Sequence, residues 1–273
     1  MNIMYKTLLI IILMSISSLN DPVQAEIRNT STMYMIEDNL GKLFYCNLSA
    51  KTPILEEEGL LEVEADSYHF EGLSVAPNGD IYVINNSGKS ILYKIFRDQL
   101  DGSATTNVKL TLVGDTGIEA DTADEICSLK FNGNTLYGIG KRNNTVIKIN
   151  PKTAEVTKVV TLKSDKKLRV DGFTFGSDGV AYFLRNRSSD SEIWRIKSLK
   201  TGEIELVVII KGASGAETLG RHPNGYLYVS NPRTLYKVNP RTKTVSEIMQ
   251  HEFDLEGMDF WSRRTLVNPP SRR

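Results

Sequence analysis

Five acidic residues of this chain open copies of one short sequence pattern. Four stretches align without a gap, "EGLSVAPNG" from Glu71, "EICSLKFNG" from Glu125, "DGFTFGSDG" from Asp171 and "ETLGRHPNG" from Glu217. A fifth copy, "EGMDF", begins at Glu256. Carboxylate oxygens are the ligands that Ca²⁺ prefers, in groups of roughly six to eight. The recurrence raises the question of whether the fold brings the five side chains together.

The spacing of these residues predicts a β-propeller. Successive copies start 54, 46, 46 and 39 residues apart, which is the range of propeller blades. Each of the first four copies ends in Asn-Gly or Asp-Gly, the signal for a tight hairpin, and a strand of the type apolar-Tyr follows. Two further apolar strands complete the unit. Four short strands are typical of one propeller blade.

The C-terminal stretch "DLEGMDFW" predicts how the ring closes. The N-terminal region contains strands near Met33 and Leu43 and the tract "ILEEEGLLEVE", but it has no copy of the first strand. The stretch from Asp254 supplies that strand, so the last part of the chain completes the blade begun by the first. We therefore predict an all-β, five-bladed propeller. Six blades are the alternative if the long interval from Glu71 to Glu125 contains further strands.

The first 25 residues predict a signal peptide. Lys6 is followed by the apolar run "LLIIILM" and by the small-residue cleavage site "VQA" before Glu26. The apolar run is shorter than the roughly 20 residues that a membrane span needs. We expect a secreted or periplasmic protein with no stable membrane span after cleavage, and a single propeller domain over residues 26–273.

Composition excludes some classes of partner. Lys and Arg together equal Asp and Glu at 33 each, so no global field favours nucleic acid. Cys46 and Cys127 occupy positions that carry large apolar residues in the other copies, and they belong to blades that are not neighbours. Both are therefore predicted to be core residues that form no disulfide.

The five acidic residues are predicted to meet at one mouth of the propeller channel, because the first strand of each blade lines that channel. Two unit charges about 6 Å apart repel by roughly 3 kcal/mol at an effective dielectric constant of 20. Such a ring needs protons, hydrogen-bond donors or a cation. One hypothesis is a central Ca²⁺; the alternative is a ring of hydrogen bonds that ties the blades together. The predicted metal ligands are Glu71, Glu125, Asp171, Glu217 and Glu256.

The loops after the tyrosine strands add basic residues to the same face. They are predicted to surround the acidic mouth and to bind a phosphate or carboxylate group. These residues are Lys141, Arg142, Arg185, Arg187 and Arg233. Solvated loop charges are the alternative interpretation.

The "E-G-apolar" start in "FEGLSV" and "LEGMDF" resembles two groups of propellers. In the five-bladed calcium-activated nucleotidase (apyrase) family, each blade offers one inner-strand residue to a central Ca²⁺, which implies the five acidic residues as ligands. The six-bladed gluconolactonase and senescence-marker family holds its metal with a Glu of an E-G motif and with Asn and Asp of other blades. That resemblance implies Glu71 or Glu256, with Asn85 and Asn231 as partners, and we include both asparagines among the predicted ligand-binding residues.

The leading functional prediction is a binding module for an anionic small molecule, a glycan or a protein at the channel mouth. The first alternative is a calcium-dependent hydrolase of phosphate esters or lactones, in which the metal activates water and Arg185 or Lys141 orients the substrate. A structural scaffold with a plugged channel is the second. Binding leads because the repeat identifies no general base.

Overall fold

The computed structural model describes residues 26–38, 40–48, 53–62, 68–100, 107–164 and 168–267. The predicted signal peptide lies outside the described residues. Within the described part of the chain, no helix has both the length and the apolar character needed to cross a membrane.

The chain divides into two compact units. One is the propeller, Ser31–Ser262, which contains every site discussed below. The other includes residues 26–30 and 263–267, which the structure describes as strand.

Five sheets form the five blades of the propeller. Blade 1 contains β1 (Glu26–Glu37), β2 (Lys42–Asn47), β3 (Glu56–Glu62), β7 (Val108–Lys109) and β21 (Leu255–Val267). Blade 2 contains β4 (Phe70–Val75), β5 (Ile81–Asn85), β6 (Lys89–Ile95) and β8 (Thr111–Glu119). Blade 3 contains β9 (Ile126–Asn132), β10 (Thr135–Gly140), β11 (Thr145–Ile149) and β12 (Val156–Thr161). Blade 4 contains β13 (Val170–Phe175), β14 (Ala181–Asn186), β15 (Asp190–Ile196) and β16 (Ile204–Lys211). Blade 5 contains β17 (Thr218–Arg221), β18 (Leu227–Ser230), β19 (Thr234–Asn239) and β20 (Thr244–Gln250).

The prediction of a five-bladed propeller is confirmed. The long interval between Glu71 and Glu125 does contain an extra strand, the two-residue β7. This strand pairs in parallel with β3, through Leu61 and Val108, and so extends blade 1. A 3-10 helix at Arg97–Gln99 occupies another part of the interval. No sixth sheet forms from the described residues.

The C-terminal strand closes the ring as predicted. In the sheet of blade 1, β21 lies beside β1, at the inner edge. It contacts blade 2 at Gly257, whose added Cβ would lie 2.6 Å from the amide nitrogen of Leu73. On its other side Met258 packs against Gly220 of blade 5, where an added Cβ would come within 2.9 Å of the Met258 sulfur.

The glycine of the E-G motif allows the inner strands of neighbouring blades to approach one another. A Cβ at Gly72 would lie 2.9 Å from the amide nitrogen of Leu129, and one at Gly172 would lie 2.8 Å from that of Leu219. These contacts are with backbone, which cannot turn aside as a flexible side chain can. The acidic residue before each glycine is therefore held on a strand that is pressed against its neighbour.

Apolar side chains pack between the blades and form the core. The repeated tyrosines belong to this packing: Tyr34, Tyr82, Tyr182 and Tyr228 are all buried. Cys46 and Cys127 are buried free thiols, as predicted.

Candidate functional site

The structure brings the five predicted carboxylates to one end of the channel, in two linked groups. Glu71 and Glu125 share one lysine, and Asp171 and Glu217 lie on either side of one arginine. Glu217 is in turn hydrogen-bonded to Glu256. Glu71, Glu125 and Asp171 are almost fully buried, whereas the side chain of Glu217 is 21% exposed. We call this region the channel mouth.

Lys141 supplies a cation between two of the acidic residues. Its Nζ lies 2.5 Å from Oε1 of Glu71 and 3.1 Å from Oε1 of Glu125. Its backbone is also fixed, because Lys141 N donates to the carbonyl of Glu125 at 2.8 Å and the Lys141 carbonyl accepts from Val170 N at 2.9 Å. An ammonium group therefore neutralises this side of the channel mouth.

His69 approaches the same carboxylate. Its Nε2 lies 3.1 Å from Oε1 of Glu71. Burial acts to raise the pKa of Glu71, but the hydrogen bonds and charges of His69 and Lys141 outweigh burial and lower it. The hydrogen bond to Glu71 raises the pKa of His69. The group of His69, Glu71 and Lys141 therefore favours an ionised carboxylate between two cations.

Asp171 has a different environment. Arg169 Nε donates to its Oδ1 at 3.2 Å, and Nη2 of the same arginine lies 3.9 Å from Oε1 of Glu217. Burial raises the pKa of Asp171 to about 6 although the charge of Arg169 acts to lower it. Oδ2 of Asp171 is buried and has no hydrogen-bond partner among the described residues.

A cluster of three carboxylates occupies the rest of the mouth. Oxygen atoms of Glu217, Asp254 and Glu256 all lie within 4.8 Å of one another. Two oxygens that bind one Ca²⁺, each about 2.4 Å from it, can be at most about 4.8 Å apart, so this spacing fits a shared ion. Among the described residues, no other group of three or more carboxylate, His or Cys side chains meets this spacing.

The crowded carboxylates of the cluster disfavour one another's ionisation. Burial, together with the hydrogen bond and charge of Glu217, raises the pKa of Glu256 well above its ordinary value. Asp38 lies nearby, and burial raises its pKa to about 6, with Glu71 and Asp254 adding to the effect and His69 opposing it. Oδ1 of Asp38 is buried, and no residue in the described part of the chain hydrogen-bonds to it.

Four of these residues were missing from the predicted site, although the repeat contains a signal for them. His69, Arg169 and Asp254 each lie two residues before a repeated acidic residue, just ahead of the first strand of a blade. Asp38 follows Tyr34 by four residues, just as Lys141 follows Tyr137. An alignment of the copies that included these positions would have indicated these four residues.

Of the predicted ligand-binding residues, Lys141 reaches the acidic ring. Asn85 and Asn231 bind within their own loops: Oδ1 of Asn85 accepts from Ser87 N at 3.0 Å, and Oδ1 of Asn231 accepts from Thr234 N at 2.8 Å. Such bonds are typical of asparagines that close turns.

The predicted arginines lie elsewhere. Arg185 and Arg187 both contact Glu192 of β15, beside a cavity in blade 4. Arg142 is exposed, and Arg233 lines a separate surface cavity of about 570 Å³ together with His251 and Glu252. Among the described residues, Lys141 is thus the one predicted basic residue that forms an ion pair with the repeated carboxylates.

A buried ion pair crosses the channel further along the inner strands. Lys130 of β9 pairs with Asp259 of β21. Asp259 Oδ2 also accepts from Ser74 Oγ at 3.0 Å and from Val75 N at 2.8 Å. Asp259 follows Glu256 by three residues, or about 10 Å of strand. Side chains from blades 1, 2 and 3 thus fill the channel beneath the mouth.

Comparisons with known proteins support the fold. No protein-family model and no curated protein matches the sequence. One chain of a nidogen/laminin complex is similar in structure, with a TM-score of 0.55, 9% identity and coverage of 84% of this chain and 98% of that one. A Bacteroides thetaiotaomicron protein of unknown function has a TM-score of 0.52 and 13% identity, with coverage of 81% and 64%. Virginiamycin B lyase from Staphylococcus aureus has a TM-score of 0.47 and 16% identity, with coverage of 84% and 71%. Fold and comparisons together identify this chain as a β-propeller protein.

Proposed function

We propose that this chain is an exported binding protein whose channel mouth takes up a divalent cation, Ca²⁺, between Glu217, Asp254 and Glu256. The observation that carries the proposal is the close approach of their oxygens, all within 4.8 Å of one another. Export rests on the predicted signal peptide.

The distribution of charge at the mouth favours a cation over an anion. Lys141 already pairs with Glu71 and Glu125, and Arg169 lies between Asp171 and Glu217. Asp38, Asp254 and Glu256 add further carboxylates. A cation would relieve the repulsion that raises the pKa of Glu256, whereas an anion alone would add to it. An anionic ligand would therefore bind here through the ion.

Ca²⁺ suits these ligands better than Mg²⁺. Mg²⁺ demands near-ideal octahedral geometry at short distances, whereas Ca²⁺ accepts irregular sets of carboxylates and water. Oδ1 of Asp38 and Oδ2 of Asp171 are buried acceptors to which no described residue donates, so each would be able to accept a hydrogen bond from water bound to the ion. A calcium ion here would also agree with the resemblance to the nucleotidase propellers.

Binding is a better match to the mouth than hydrolysis. A general base must be unprotonated near neutral pH, but the hydrogen bond to Glu71 raises the pKa of His69. The side chain of Glu217 is 21% exposed, so an ion beside it would be in reach of an anionic small molecule, a glycan or a carboxylate of a partner protein.

The proposal is tested by thermal unfolding in EDTA and then in CaCl₂. A ligand at 100 times its dissociation constant adds about 2.7 kcal/mol to the free energy of unfolding, which for a domain of this size raises Tm by roughly 5 to 10 °C. We expect this increase in the unaltered chain and its loss in Glu217→Gln.

A matched control is Glu205→Gln. Glu205 is exposed, pairs with Arg195 at 2.7 Å and lies in blade 4 away from the mouth, and its substitution changes the net charge by the same amount. This variant should keep the calcium-dependent increase. An unaltered chain whose Tm does not respond to Ca²⁺, or an increase that persists in Glu217→Gln, would overturn the proposal.

A further inference from the structure

A second region of the propeller has the opposite charge. A cavity of about 540 Å³ lies beside blade 4, and we call it the side cavity. Its polar lining includes Lys163, Arg185, Arg187 and Glu192. Trp194, Leu168 and Ile204 form its apolar lining.

One buried carboxylate holds both arginines of the side cavity in place. Glu192 lies directly opposite Arg185 in the pairing of β14 with β15, and it is 3% exposed. Its oxygens accept from Arg185 Nη1 at 3.2 Å, from Arg187 Nη1 at 2.8 Å and from Trp194 Nε1 at 2.9 Å. The positions of the guanidinium groups are thus set before any ligand arrives.

The remaining charge of the side cavity is positive. Three cationic side chains face a single carboxylate among its described lining residues. A guanidinium carries five N–H donors, and the bonds to Glu192 use the Nη1 group of each arginine. Forked donors that remain available match the oxygens of a carboxylate or phosphate.

The apolar side of the cavity is flat and rigid. The indole of Trp194 stacks on Phe183 with ring centroids 6.3 Å apart and an interplanar angle of 11°. Leu168 is 2% exposed, so its side chain is fixed in the core between blades 3 and 4. Next to cationic groups, this surface fits a ligand with an aromatic or other planar body.

We propose that the side cavity binds an organic oxyanion, a carboxylate or phosphate group carried on a planar apolar body. Arg185, Arg187 and Lys163 bind the oxyanion, and Trp194 contacts the body. This site requires no metal and does not depend on the cation proposed at the channel mouth.

Trp194 provides a direct readout of binding. The chain contains two tryptophans, so Trp261→Phe leaves Trp194 as the only one. Phenyl phosphate and benzoate should change its fluorescence along a saturable curve in EDTA. Inorganic phosphate tests the oxyanion alone and should bind more weakly, while benzyl alcohol, which is neutral, should produce no saturable change at the same concentrations. Calorimetric titration of the unaltered chain gives the same comparison without the tryptophan substitution.

Arg187→Gln is the variant that decides the proposal. The side chain of Arg187 is 55% exposed, so its replacement should leave the fold intact while weakening phenyl phosphate binding at least about ten-fold. Arg142→Gln, an equal charge change at another exposed loop arginine, should leave the affinity unchanged. Three results would each overturn the proposal: no saturable response to either aromatic anion, equal binding of benzyl alcohol, or unchanged affinity in Arg187→Gln.

Discussion

In both the channel mouth and the side cavity, one charged side chain lies between two groups of the opposite charge, and the signs are reversed between the two regions. At the mouth, the Lys141 ammonium lies between the carboxylates of Glu71 and Glu125. In the side cavity, the buried carboxylate of Glu192 lies between two guanidinium groups. The groups around the central one are negative at the mouth and positive in the cavity. This difference motivates the two proposals, a cation at the mouth and an oxyanion in the side cavity.

The two regions also differ in how the sequence builds them. The mouth arises from a repeated position, so each blade adds another carboxylate and the charge accumulates. The side cavity belongs to blade 4 and its connection from blade 3. Repetition of the acidic position therefore brings like charges together at the mouth, where they repel one another. Residues that are not repeated, above all Lys141, offset this repulsion.

The largest expected effect comes from removing the positive charge of Lys141 at the mouth. Lys141→Gln removes the ammonium group between the buried carboxylates of Glu71 and Glu125, and the loss of one member of a buried ion pair costs about 3 kcal/mol or more. Urea unfolding in EDTA should show this decrease. Lys148→Gln, which removes an exposed lysine of the same blade, should change stability by less than about 1 kcal/mol. Equal stability of the two variants would contradict the role given to Lys141.

The corresponding change in the side cavity is Glu192→Gln. It leaves Arg185 and Arg187 facing each other without a negative partner, and we expect a loss of about 2 kcal/mol at neutral pH in urea unfolding. Because the substitution does not touch the mouth, the calcium-dependent increase in Tm should remain. A loss of the calcium response in this variant would show that the two regions are not independent.

The smallest expected effect is a difference in the pH dependence of stability. Burial raises the pKa of Asp171, so the folded state disfavours its ionised form, and this cost appears as pH rises from about 4 to about 6. Asp171→Asn should therefore be more stable than the unaltered chain by about 1 kcal/mol at pH 7 in EDTA, with the difference vanishing near pH 4.

Replacement of Glu192 should change the pH dependence of stability in the opposite direction. Burial acts to raise its pKa, but hydrogen bonds from Trp194 and Arg187 and the arginine charges outweigh burial and lower it. Its stabilising effect is present above the unfolded pKa and is lost as pH falls through the lower folded value. The penalty of Glu192→Gln should therefore shrink on acidification. Thermal unfolding of Asp171→Asn and Glu192→Gln from pH 4 to 7 tests both predictions. If the stability of both variants, relative to the unaltered chain, changed with pH in the same direction, this account would be contradicted.

The propeller could be predicted from the sequence because its signals are local and repeated. Asn-Gly and Asp-Gly mark the hairpins, and the spacing of the acidic residues gives the blades. The match of Glu256 to the earlier copies even indicated ring closure, since one inner strand was missing at the N-terminus. The two-residue β7 was not predictable in this way, because it pairs with β3 across more than forty residues.

The details of the site depend on side-chain direction, which the repeat shows only indirectly. Lys141 lies four residues after Tyr137 and points into the mouth, whereas Arg185 lies three residues after Tyr182 and points to Glu192. A shift of one residue reverses the side of a strand. The sequence prediction grouped both among the basic residues of one ring, because it considered the loop that carries them and not the position within that loop.

The central claim is that the mouth binds one cation at Glu217, Asp254 and Glu256. Calorimetric titration of the EDTA-treated and desalted chain with CaCl₂ tests it most directly. The account predicts one Ca²⁺ per chain, with binding lost in Glu256→Gln and retained in Glu205→Gln. Absence of calcium binding at millimolar concentrations, or undiminished binding in Glu256→Gln, would contradict it.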